Sequence, residues 1–585
     1  MLGRRSKQLG LFEADQLYLD YVGRDSFYGF LAGHRGQLFH DEDFAALYCL
    51  DNGRTSVPPS LLATALLLQT YDRVSDEEAK ARADFDLRWK VALGIGIEDR
   101  PFAKSTLQVF RAQLILHEKV MAIFKQSLAF ARRTGHLKNR KIKAVLDTSN
   151  ILGRGAVKDT YNLLADGIVR LSRVLACLDG TKPDVWAMGH NLSRYFGPAS
   201  IKAEAQINWE DAGARQKFLS SVVADADRLL EMARQALTAY VPESAEHGKV
   251  TEAAELLSQL LLQDVDPSPE GAEGASIKEG VSRDRVISVH DPEMRHGRKS
   301  KAKRFDGHKA AVVVDPESQL ITAVAVLAGN APDNQRALEL VEQAEENAQV
   351  EVEETIGDCA YGDGATRREF ADAGRRLVAK VPDRRNSAQI PKEDFRIDLE
   401  NKACTCPAGQ ECRTLEPIGP RKDRSGKSQE RLGFKFAPEV CALCALRKQC
   451  VTAGPGKGRT VSLHPQEALL QEAREFQHSE GFIPYRQLRQ VAEHRIARLM
   501  QLGMRQARYC GRVKTLYQLL MAATVANLTL VATKVGLMRG RGSRRNHLFV
   551  PILGAVLAFI ATLTLSIAYN LGLIVHTRSC KRVFI

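Results

Sequence analysis

Three carboxylates in this chain have the residue types and surroundings that metal-assisted chemistry needs. Asp147 follows the apolar run IKAVL, Asp358 follows the segment VEETIG, and Glu493 lies on a helical segment rich in arginine. Open α/β sheets place their reactive groups at the ends of core strands, as we expect for the two aspartates. Carboxylates are hard oxygen ligands that suit Mg²⁺. The set therefore predicts a magnesium site.

Two such ions, held about 3.5–4 Å apart, can bind both the attacking and the leaving oxygen of an in-line displacement at phosphorus. We therefore expect Asp147, Asp358 and Glu493 to hold two Mg²⁺ or Mn²⁺ ions and to catalyse phosphoryl transfer. An acid at a strand end can also be only a turn or cap residue, and this alternative stays open for both aspartates. Asp363 competes with Asp358, but Asp358 directly ends the predicted strand and is preferred.

The surroundings of Glu493 are strongly basic. Between Gly481 and Arg545 there are 13 Lys or Arg residues and this single acid, and no Asp or Glu follows it. One interpretation is a salt bridge within the helix, worth about 0.3–0.5 kcal/mol. Tyr485, Arg489 and Glu493 are four residues apart and share one helix face, which favours a metal ligand within a phosphate-binding surface. The arginines predicted to contact DNA phosphates here are Arg489, Arg505, Arg508 and Arg512.

A second basic segment, RHGRKSKAKRFDGHK, contains seven Lys or Arg residues between Arg295 and Lys309. It could be a solvated loop, but its position just before predicted strands favours phosphate contact. The residues assigned to DNA binding are Arg298, Lys299, Lys301 and Lys303. The whole chain has a formal net charge of +13, which favours a polyanionic partner such as nucleic acid, with a merely basic surface as the alternative.

Six of the 11 cysteines lie between Cys404 and Cys450. This clustering argues against a chain-wide disulfide framework and for one local metal site in a reducing compartment. Paired cysteines at these offsets are typical of a zinc ribbon, so we expect one zinc ion, with reduced thiols and no metal as the alternative. The preferred ligands are Cys404 or Cys406 with Cys412, and Cys441 with Cys444, while Cys450 could replace one of them.

The elements that must position these residues begin with helices. SLLATALLLQ follows Pro58 and Pro59, which suit a helix start, and Ser75 and Glu78 have the spacing of a capping box. A third helix is predicted from Ser105 onward. We assign residues 1–135 to a helical domain that binds DNA, and a bundle that only packs is the alternative.

Strands and helices then alternate in a pattern that predicts an α/β fold. The strand before Asp147 is followed by a helical insertion at about 155–282. Further strands are predicted for RVISVHD, HKAAVVVD, QLITAVAVL, VEETIGD and RRLVAKVPD, which are rich in β-branched residues. A cysteine-rich insertion at about 395–455 and a long helical region from Tyr485 complete a catalytic domain over 136–545. We expect a mixed sheet with these two insertions behind the all-helical N-terminal domain.

The two ends of the chain bear on location. The N-terminus has no apolar core long enough for a signal peptide, so we expect a cytoplasmic, nucleoid-associated protein. From Leu548 to Val575 no residue is charged, and this run is long enough to span a bilayer. We prefer a hydrophobic extension over 546–585 outside the domain and expect no membrane partner, with a membrane-tethered protein as the alternative.

Several segments resemble, in this order, the bacterial insertion-sequence transposases of the DDE superfamily. The N-terminal helical domain of that family is similar to VPPSLLATALLLQTYDRVSDEEAKARADFDLRWKVALGI. Its catalytic domain is similar to KAVLDTSNILGRG, DGHKAAVVVDPESQLITAVAVL, GDCAYGDGATR and YRQLRQVAEHRIARLM. The resemblance covers most of residues 10–535.

The resemblance implies an RNase H-like catalytic domain and metal-dependent cleavage and joining of DNA strands. Carried over residue by residue, the family's three acids fall on Asp147, Asp358 and Glu493. Its Tyr–Arg–Glu–Lys signature falls on Tyr485, Arg489, Glu493 and Lys514, which adds Tyr485 and Lys514 to the predicted DNA contacts. Here the gap from tyrosine to arginine is one residue longer than in the family, and the lysine lies further downstream.

An enzyme of this kind would bind terminal inverted repeats, free 3′-hydroxyls by phosphodiester hydrolysis and join them to target DNA, working as a homo-oligomer in the DNA complex. One alternative is a metal-dependent nuclease on the same fold that cuts without joining. Another is a catalytically inactive DNA-binding protein that uses the zinc segment and the basic helix.

Overall fold

The protein is described here by a computed structural model. The residues whose structure it describes are 1–5, 14–49, 52–266, 274–300, 302–382, 389–422, 428–454 and 456–534. Lys301 and the hydrophobic run from Leu548 to Val575 lie outside these ranges, so the interpretations that rest on them stay predictions.

The N-terminal part is helical, as the sequence predicts. Its α-helices are α1 (Ala14–Val22), α2 (Phe27–Leu38), α3 (Pro59–Asp72), α4 (Asp76–Phe85), α5 (Leu87–Leu93), α6 (Lys104–Leu116) and α7 (Val120–Arg133). Proline at the first position of α3 and the reciprocal Ser75–Glu78 capping box of α4 explain where these helices begin. The single helix predicted from Ser105 is two helices, because the backbone at Glu118 is left-handed with φ of 54°.

Between the first strand and the rest of the sheet, the chain forms a helical unit with its own core. The strand β1 (Lys141–Leu152) leads into α8 (Thr160–Leu178), α9 (Pro183–Gly189), α10 (Ile201–Glu204), α11 (Ala212–Leu237) and α12 (Ala245–Asp264), then the short ladder β2 (Val265–Asp266) and β3 (Ser276–Ile277). Leu171, Val222 and Leu257 are fully buried in a hydrophobic cluster separate from that of the sheet. The amphipathic spacing of these helices is what allows a second core.

The central sheet is mixed and has six strands. Its other members are β4 (Arg295–Arg298), β5 (Arg304–Val314), β6 (Ile321–Ala328), β7 (Glu351–Ile356) and β8 (Arg376–Val378), with α13 (Ala337–Ala348) and α14 (Gly364–Asp372) between them. The order is β4-β5-β1-β7-β8, and β6 pairs with β5 beyond the residues that β4 uses. β1 is antiparallel to β5 and parallel to β7, which is parallel to β8. The chain is thus a mixed α/β protein, as predicted.

One predicted strand is wrong. RVISVHD forms no strand, although Val286, Ile287 and Val289 are buried. Its backbone polar groups are satisfied by other parts of the chain: the side-chain amide of Gln263 both donates to and accepts from Val286, and Arg170 donates to the Val289 carbonyl. The run is therefore apolar because it is buried, and its backbone groups are satisfied without pairing to a neighbouring strand.

The C-terminal third contains the cysteine-rich segment and three further helices. The segment has the short strands β9 (Arg396–Asp398), β10 (Ala403–Thr405), β11 (Glu411–Cys412), β12 (Leu415–Pro417), β13 (Arg421–Lys422), β14 (Ser428–Gln429), β15 (Leu432–Lys435) and β16 (Thr460–Ser462), and the helices α15 (Pro438–Ala442) and α16 (Arg447–Cys450). After it come α17 (Glu467–His478), α18 (Ile483–Leu499) and α19 (Arg512–Lys534). A π-helical turn at Met500–Met504, where Gly503 has φ of 96°, ends the regular part of α18.

The helix α19 joins the N-terminal helices to the sheet. It packs against α3 and α7 on one side and β6 on the other, so one continuous hydrophobic cluster runs through both regions. Asn527, fully buried on α19, exchanges hydrogen bonds of 2.9 and 2.8 Å with the backbone of Ile321 on β6. Hydrophobic packing therefore does not separate residues 1–135 from the sheet.

Among the described residues, one helical stretch is long and apolar enough to cross a membrane. It runs from Arg512 to Thr533, and 83% of its apolar window is buried inside the protein. Such burial is how the core helix of a large fold is packed.

Candidate active site

Asp147 lies in the middle of a strand rather than at its end. The strand β1 was predicted to stop at Leu146 but continues to Leu152, because β5 pairs with it as far as Gly307. The Asp147 side chain is half-buried, and its Oδ1 accepts a hydrogen bond of 2.7 Å from the Thr148 N–H. The carboxylate is thus held on the face of a central strand.

Asp358 is brought beside Asp147 by the register of two parallel strands. The last paired residues of β1 and β7 are Val145 and Ile356. When this register is continued by two residues along each strand direction, Asp147 is opposite Asp358 and the two side chains point to the same face. Neighbouring strand backbones are about 5 Å apart. Asp358 itself lies in the turn after β7, where its Oδ1 accepts a hydrogen bond of 2.8 Å from the Ala360 N–H.

The competing acid, Asp363, has a structural role in the fold. It is the N-cap of α14, and its Oδ1 accepts hydrogen bonds of 3.0 Å from the Ala365 and Thr366 N–H groups. Asn334 donates to its other oxygen at 2.8 Å. These bonds support the choice of Asp358 over Asp363.

Glu493 reaches the same region from α18, which packs on β1 and β5. Near the start of this helix the Lys143 ammonium lies 5.1 Å from the centre of the Tyr485 ring. Four strand residues from Lys143 to Asp147 span about 13 Å, and eight helical residues from Tyr485 to Glu493 span about 12 Å. The two spans are nearly equal, so Glu493 lies at the level of Asp147 along the strand. Its side chain is 62% exposed.

The charges of Asp358 and Glu493 both act on Asp147. Burial of Asp147, together with the negative charges of Asp358 and Glu493, raises the pKa of Asp147 to about 6, while the Thr148 N–H and the Arg489 guanidinium act in the opposite direction. Tyr361 is affected as well, because burial and the charges of Asp147 and Asp358 raise the pKa of its phenol. Tyr361 was missed from the sequence, although it follows Asp358 by three residues.

A divalent cation fits this donor set. Carboxylates crowded on one face and raising a pKa among themselves are stabilised by positive charge, and their hard oxygens suit Mg²⁺ or Mn²⁺. Within the described ranges, no three Asp, Glu, His or Cys side chains converge closely enough to hold a metal ion. The three acids therefore lie in the same region, but they are not close enough to one another to hold a metal ion.

The two other signature residues on α18 differ in position. The guanidinium of Arg489 lies 3.9 Å from a Glu493 oxygen, so the salt bridge considered from the sequence is present, but it is long and solvated. Tyr485 is only 9% exposed and its hydroxyl donates to Glu354 at 2.9 Å. Tyr485 therefore packs between helix and sheet, and its assignment to DNA binding stays a prediction.

Most predicted phosphate contacts lie at one end of the sheet. The Leu152 N–H at the end of β1 donates to the Arg505 carbonyl at 2.9 Å, and the Ala507 N–H donates back to Leu152 at 2.7 Å. The hairpin of β4 and β5 projects from the same end, because Gly307 pairs with Leu152. We call this region the basic end of the sheet, and it consists of Arg298, Lys299, Lys303, Arg304, Arg505, Arg508, Arg512 and Lys514.

The charges at the basic end of the sheet are partly balanced. Arg512 bonds to Glu293 at 2.8 Å, and Arg508 lies 3.8 Å from Asp76. The hairpin residues Arg298, Lys299 and Lys303 are exposed, as are Arg505 and Lys514. The exposed members are therefore the best placed to meet a polyanion.

The arginines of the N-terminal helices stabilise the fold. Arg111 is 7% exposed and bonds to Asp76 at 2.6 Å and Gln69 at 3.0 Å. Arg132 donates to the Ala348 carbonyl at 2.7 Å and Arg133 to the Gln37 carbonyl at 2.7 Å. These contacts favour the alternative in which these three arginines serve packing.

Arg495 stands apart from the other arginines of α18. It is 8% exposed, and its Nε and Nη2 are buried with no hydrogen-bond partner in the described part of the chain. Burial, and to a lesser extent the charge of Arg498, lower its pKa to about 10. In the sequence it cannot be told from its exposed neighbours, because only packing decides which flank of the helix is covered.

Arg495→Met should therefore raise the free energy of unfolding of the DNA-free protein by about 1–3 kcal/mol, the cost of leaving buried polar groups unsatisfied. Chemical denaturation followed by circular dichroism measures this. The exposed Arg486→Met is the matched control on the same helix and should change stability by less than about 0.5 kcal/mol. A destabilised Arg495→Met protein would show that the guanidinium stabilises the fold.

The six clustered cysteines divide into two groups. Cys404 and Cys412 are cross-strand neighbours on β10 and β11, buried within the core of the segment. The other four, Cys406, Cys441, Cys444 and Cys450, line one small cavity. The ligand set preferred from the sequence, with Cys412 as a fixed member, thus mixes residues from both groups.

Comparison with known families matches two regions of the chain. Residues 405–532 match the family described as Transposase DDE domain, and residues 20–113 match the Transposase domain (DUF772). Glu493 and five of the clustered cysteines, from Cys406 to Cys450, lie within the first match, whereas Asp147 and Asp358 lie outside both. No curated protein and no solved structure matches the chain.

The two matches follow the order predicted from the sequence, helical domain first and DDE domain second. Transposases act on DNA, and DDE transposases generally use divalent metal ions. The two matches therefore indicate a transposase, and together they support an insertion-sequence transposase of the DDE superfamily.

Proposed function

We propose that this transposase cuts the ends of its element and joins the freed 3′-hydroxyls to target DNA, with Asp147, Asp358 and Glu493 as its catalytic acids. The observation that carries the proposal is that two adjacent strands and one helix bring these three acids to one region, where burial and the charges of Asp358 and Glu493 raise the pKa of Asp147. The mixed order of the sheet, with three antiparallel pairs beside two parallel ones among the described strands, supports an RNase H-like catalytic core.

In this mechanism the three acids would hold two Mg²⁺ or Mn²⁺ ions, which supply charge stabilisation for an in-line displacement at phosphorus. Asp147 and Asp358 give fixed positions, because each side chain is held by a backbone N–H close in sequence. Glu493 is exposed on its helix and can move toward the two aspartates when DNA binds. Arg489, whose charge already acts on Asp147, is placed to meet the phosphate.

The DNA would extend from this site across the basic end of the sheet. Val312, the partner of Asp147 on β5, is eight residues from Arg304 at the base of the hairpin. Eight strand residues span about 27 Å, which is about eight base pairs of duplex at 3.4 Å each. The hairpin would thus contact phosphates well away from the bond that is cut.

A salt titration tests the contribution of the hairpin. Replacing Arg298, Lys299 and Lys303 together with Ala should weaken DNA binding and reduce the slope of log affinity against log salt by about 2–3, because each lost phosphate contact releases about 0.9 fewer counterions. Fluorescence anisotropy with labelled duplex measures both quantities.

A matched control removes three exposed basic residues from the helical unit, Lys217, Arg234 and Lys249. These lie on α11 and α12 of the helical insertion, outside the set of residues that forms the basic end of the sheet, and their removal should leave the slope within about 0.5 of the unmodified value. An equal loss of slope in both variants would mean that net charge, rather than the hairpin, controls binding.

Sizing of reaction products tests the proposed function as a whole. Purified protein is incubated with Mg²⁺, DNA carrying the element ends and a supercoiled target plasmid. We expect nicked or excised ends and joined products, both dependent on the metal ion. Cut ends without joined products would indicate a nuclease, and binding without any cutting would indicate an inactive DNA-binding protein.

Three further features belong to the same proposal. The protein would act as a homo-oligomer in the DNA complex, because two element ends must be processed together. It would reside in the cytoplasm on the nucleoid, where its DNA is, with no membrane partner. One zinc ion would stabilise the cysteine-rich segment.

A further inference from the structure

The hydrophobic core of the cysteine-rich segment is small. Eight buried residues form it, and four of these are cysteines: Phe395, Cys404, Cys412, Phe434, Phe436, Cys441, Cys450 and Val461. The strands around this core have two to four residues each. So little apolar surface does not hold several short ladders together, and segments of this kind need a covalent or metal link.

Cys404 and Cys412 are accounted for by the core itself. Cys404 is fully buried and pairs with Cys412 across the ladder. The Cys412 thiol lies 3.1 Å from the Lys435 carbonyl and donates to it. Neither residue lines the cavity that the other four cysteines share, so these two behave as small apolar residues.

The other four cysteines surround a cavity of about 30 Å³. Cys406 begins a tight turn in which the Gly409 N–H donates to its carbonyl at 2.8 Å, and the Cys444 N–H approaches the Cys441 carbonyl at 3.4 Å. Cys450 ends the short helix α16 on the same cavity. Two turns and one helix end thus present sulfur to a common space, as ligand knuckles do in structural zinc sites.

Two observations support thiolates in this cavity. The Arg459 N–H points at the Cys441 sulfur, 3.4 Å away, and a backbone donor of this kind stabilises negative charge on sulfur. The Arg459 guanidinium also lies beside Cys450, because its Nη1 donates to the Cys450 carbonyl at 2.8 Å, and this places a positive charge next to the cavity.

We infer that Cys406, Cys441, Cys444 and Cys450 bind one structural Zn²⁺ ion, and that Cys404 and Cys412 are core thiols that do not. Tetrahedral thiolate sites select zinc, with Zn–S distances of about 2.3 Å. Within the described residues the four sulfurs have not closed to that distance, and rotation of each side chain about its Cα–Cβ bond moves sulfur by about 3 Å, enough to close the site.

The ion would also stiffen the approach to the proposed active site. Glu467 at the start of α17 bonds to Lys392 and, at 3.1 Å, to Arg474, and Gln471 donates to the Ile397 carbonyl at 2.9 Å. These contacts fasten the cysteine-rich segment to α17, which leads into α18 and Glu493. The zinc site itself does not depend on the proposed catalysis.

The test uses the full-length protein purified without chelator. Elemental analysis should find about one zinc per chain and no iron. Thiol alkylation followed by peptide mass spectrometry, with and without a chelator, then tests the ligands: Cys406, Cys441, Cys444 and Cys450 should become reactive only after zinc is removed. Cys404 and Cys412 are buried in the core that the ion holds together, so the zinc content of variants distinguishes them from ligands. The alkylation comparison needs no variant and so does not depend on folding of a mutant.

Variants provide the second arm of the test. Cys444→Ser should lower zinc content at least about tenfold at equal protein, because a thiolate ligand is lost, while the matched control Cys412→Ala should keep about one zinc. Absence of metal with six reactive thiols, bound iron, disulfides among the four, or loss of zinc from Cys412→Ala would each overturn the assignment. Zinc content is read without DNA cleavage, so its outcome is separate from that of the transposition assay.

Discussion

Asp147→Asn protein is expected to lose Mg²⁺-dependent cleavage of element ends by about 10³-fold or more, equivalent to about 4 kcal/mol of transition-state stabilisation. The substitution keeps the side-chain volume and removes a charge that a metal ion needs. DNA affinity should remain within about threefold, because the phosphate contacts lie on basic side chains. Single-turnover cleavage and anisotropy on the same DNA measure the two effects.

The free protein should not be destabilised by this change. Burial of Asp147 and the charges of Asp358 and Glu493 disfavour its ionised form, which is why its pKa is raised to about 6. Removing that charge should leave the thermal midpoint of the metal-free protein unchanged or higher. A loss of activity caused by unfolding would not support a metal-binding role for Asp147. The cleavage rate and the thermal midpoint are therefore measured on the same preparation.

Asp358→Asn should behave like Asp147→Asn, and Asp363→Asn is the control. Asparagine is as good an N-cap as aspartate, so α14 should begin at the same residue and the enzyme should remain active. If Asp363→Asn abolished cleavage while Asp358→Asn retained it, the second acid of the site would be Asp363.

Glu493→Gln should reduce cleavage to a similar extent with little change in stability. As a salt-bridge partner alone, Glu493 would contribute only about 0.3–0.5 kcal/mol through Arg489, and its loss would leave the rate intact. If Glu493 is a metal ligand, its replacement removes an oxygen donor from the site, and the metal ions no longer stabilise the attacking and leaving oxygens. Cleavage should recover in part when Mn²⁺ replaces Mg²⁺, since carboxylate sites bind both ions.

The control for this variant is Glu480→Gln, an exposed acid just before α18. It changes the net charge of the basic region by the same amount and should leave the cleavage rate within about twofold, since it lies more than two helical turns from Glu493. Cleavage by Glu493→Gln at the unmodified rate would reject Glu493 as a ligand and leave the site with two acids.

The two aspartates illustrate what sequence patterns reveal about this site. Apolar β-branched runs before Asp147 and Asp358 predict core strands, and their order relative to the arginine-rich helix leads to the three acids that we propose as catalytic. The register that makes Asp147 and Asp358 neighbours is set by pairing of β1 with β7, across an intervening 200 residues of chain. No local sequence pattern predicts that pairing, because it depends on which strand edges are still unpaired when the whole sheet forms.

Local chemistry in the sequence determined the helix starts at Pro59 and Ser75, the strands around Asp147 and Asp358, and the concentration of cysteines and arginines near the C-terminus. Tertiary packing decided the rest. It buried Tyr485 and Arg495 while leaving Glu493 exposed on the same helix, and it separated Cys404 and Cys412 from the four cysteines of the cavity. The physical reason is that residue type and spacing specify which face a side chain occupies, whereas its burial and partners depend on elements hundreds of residues away.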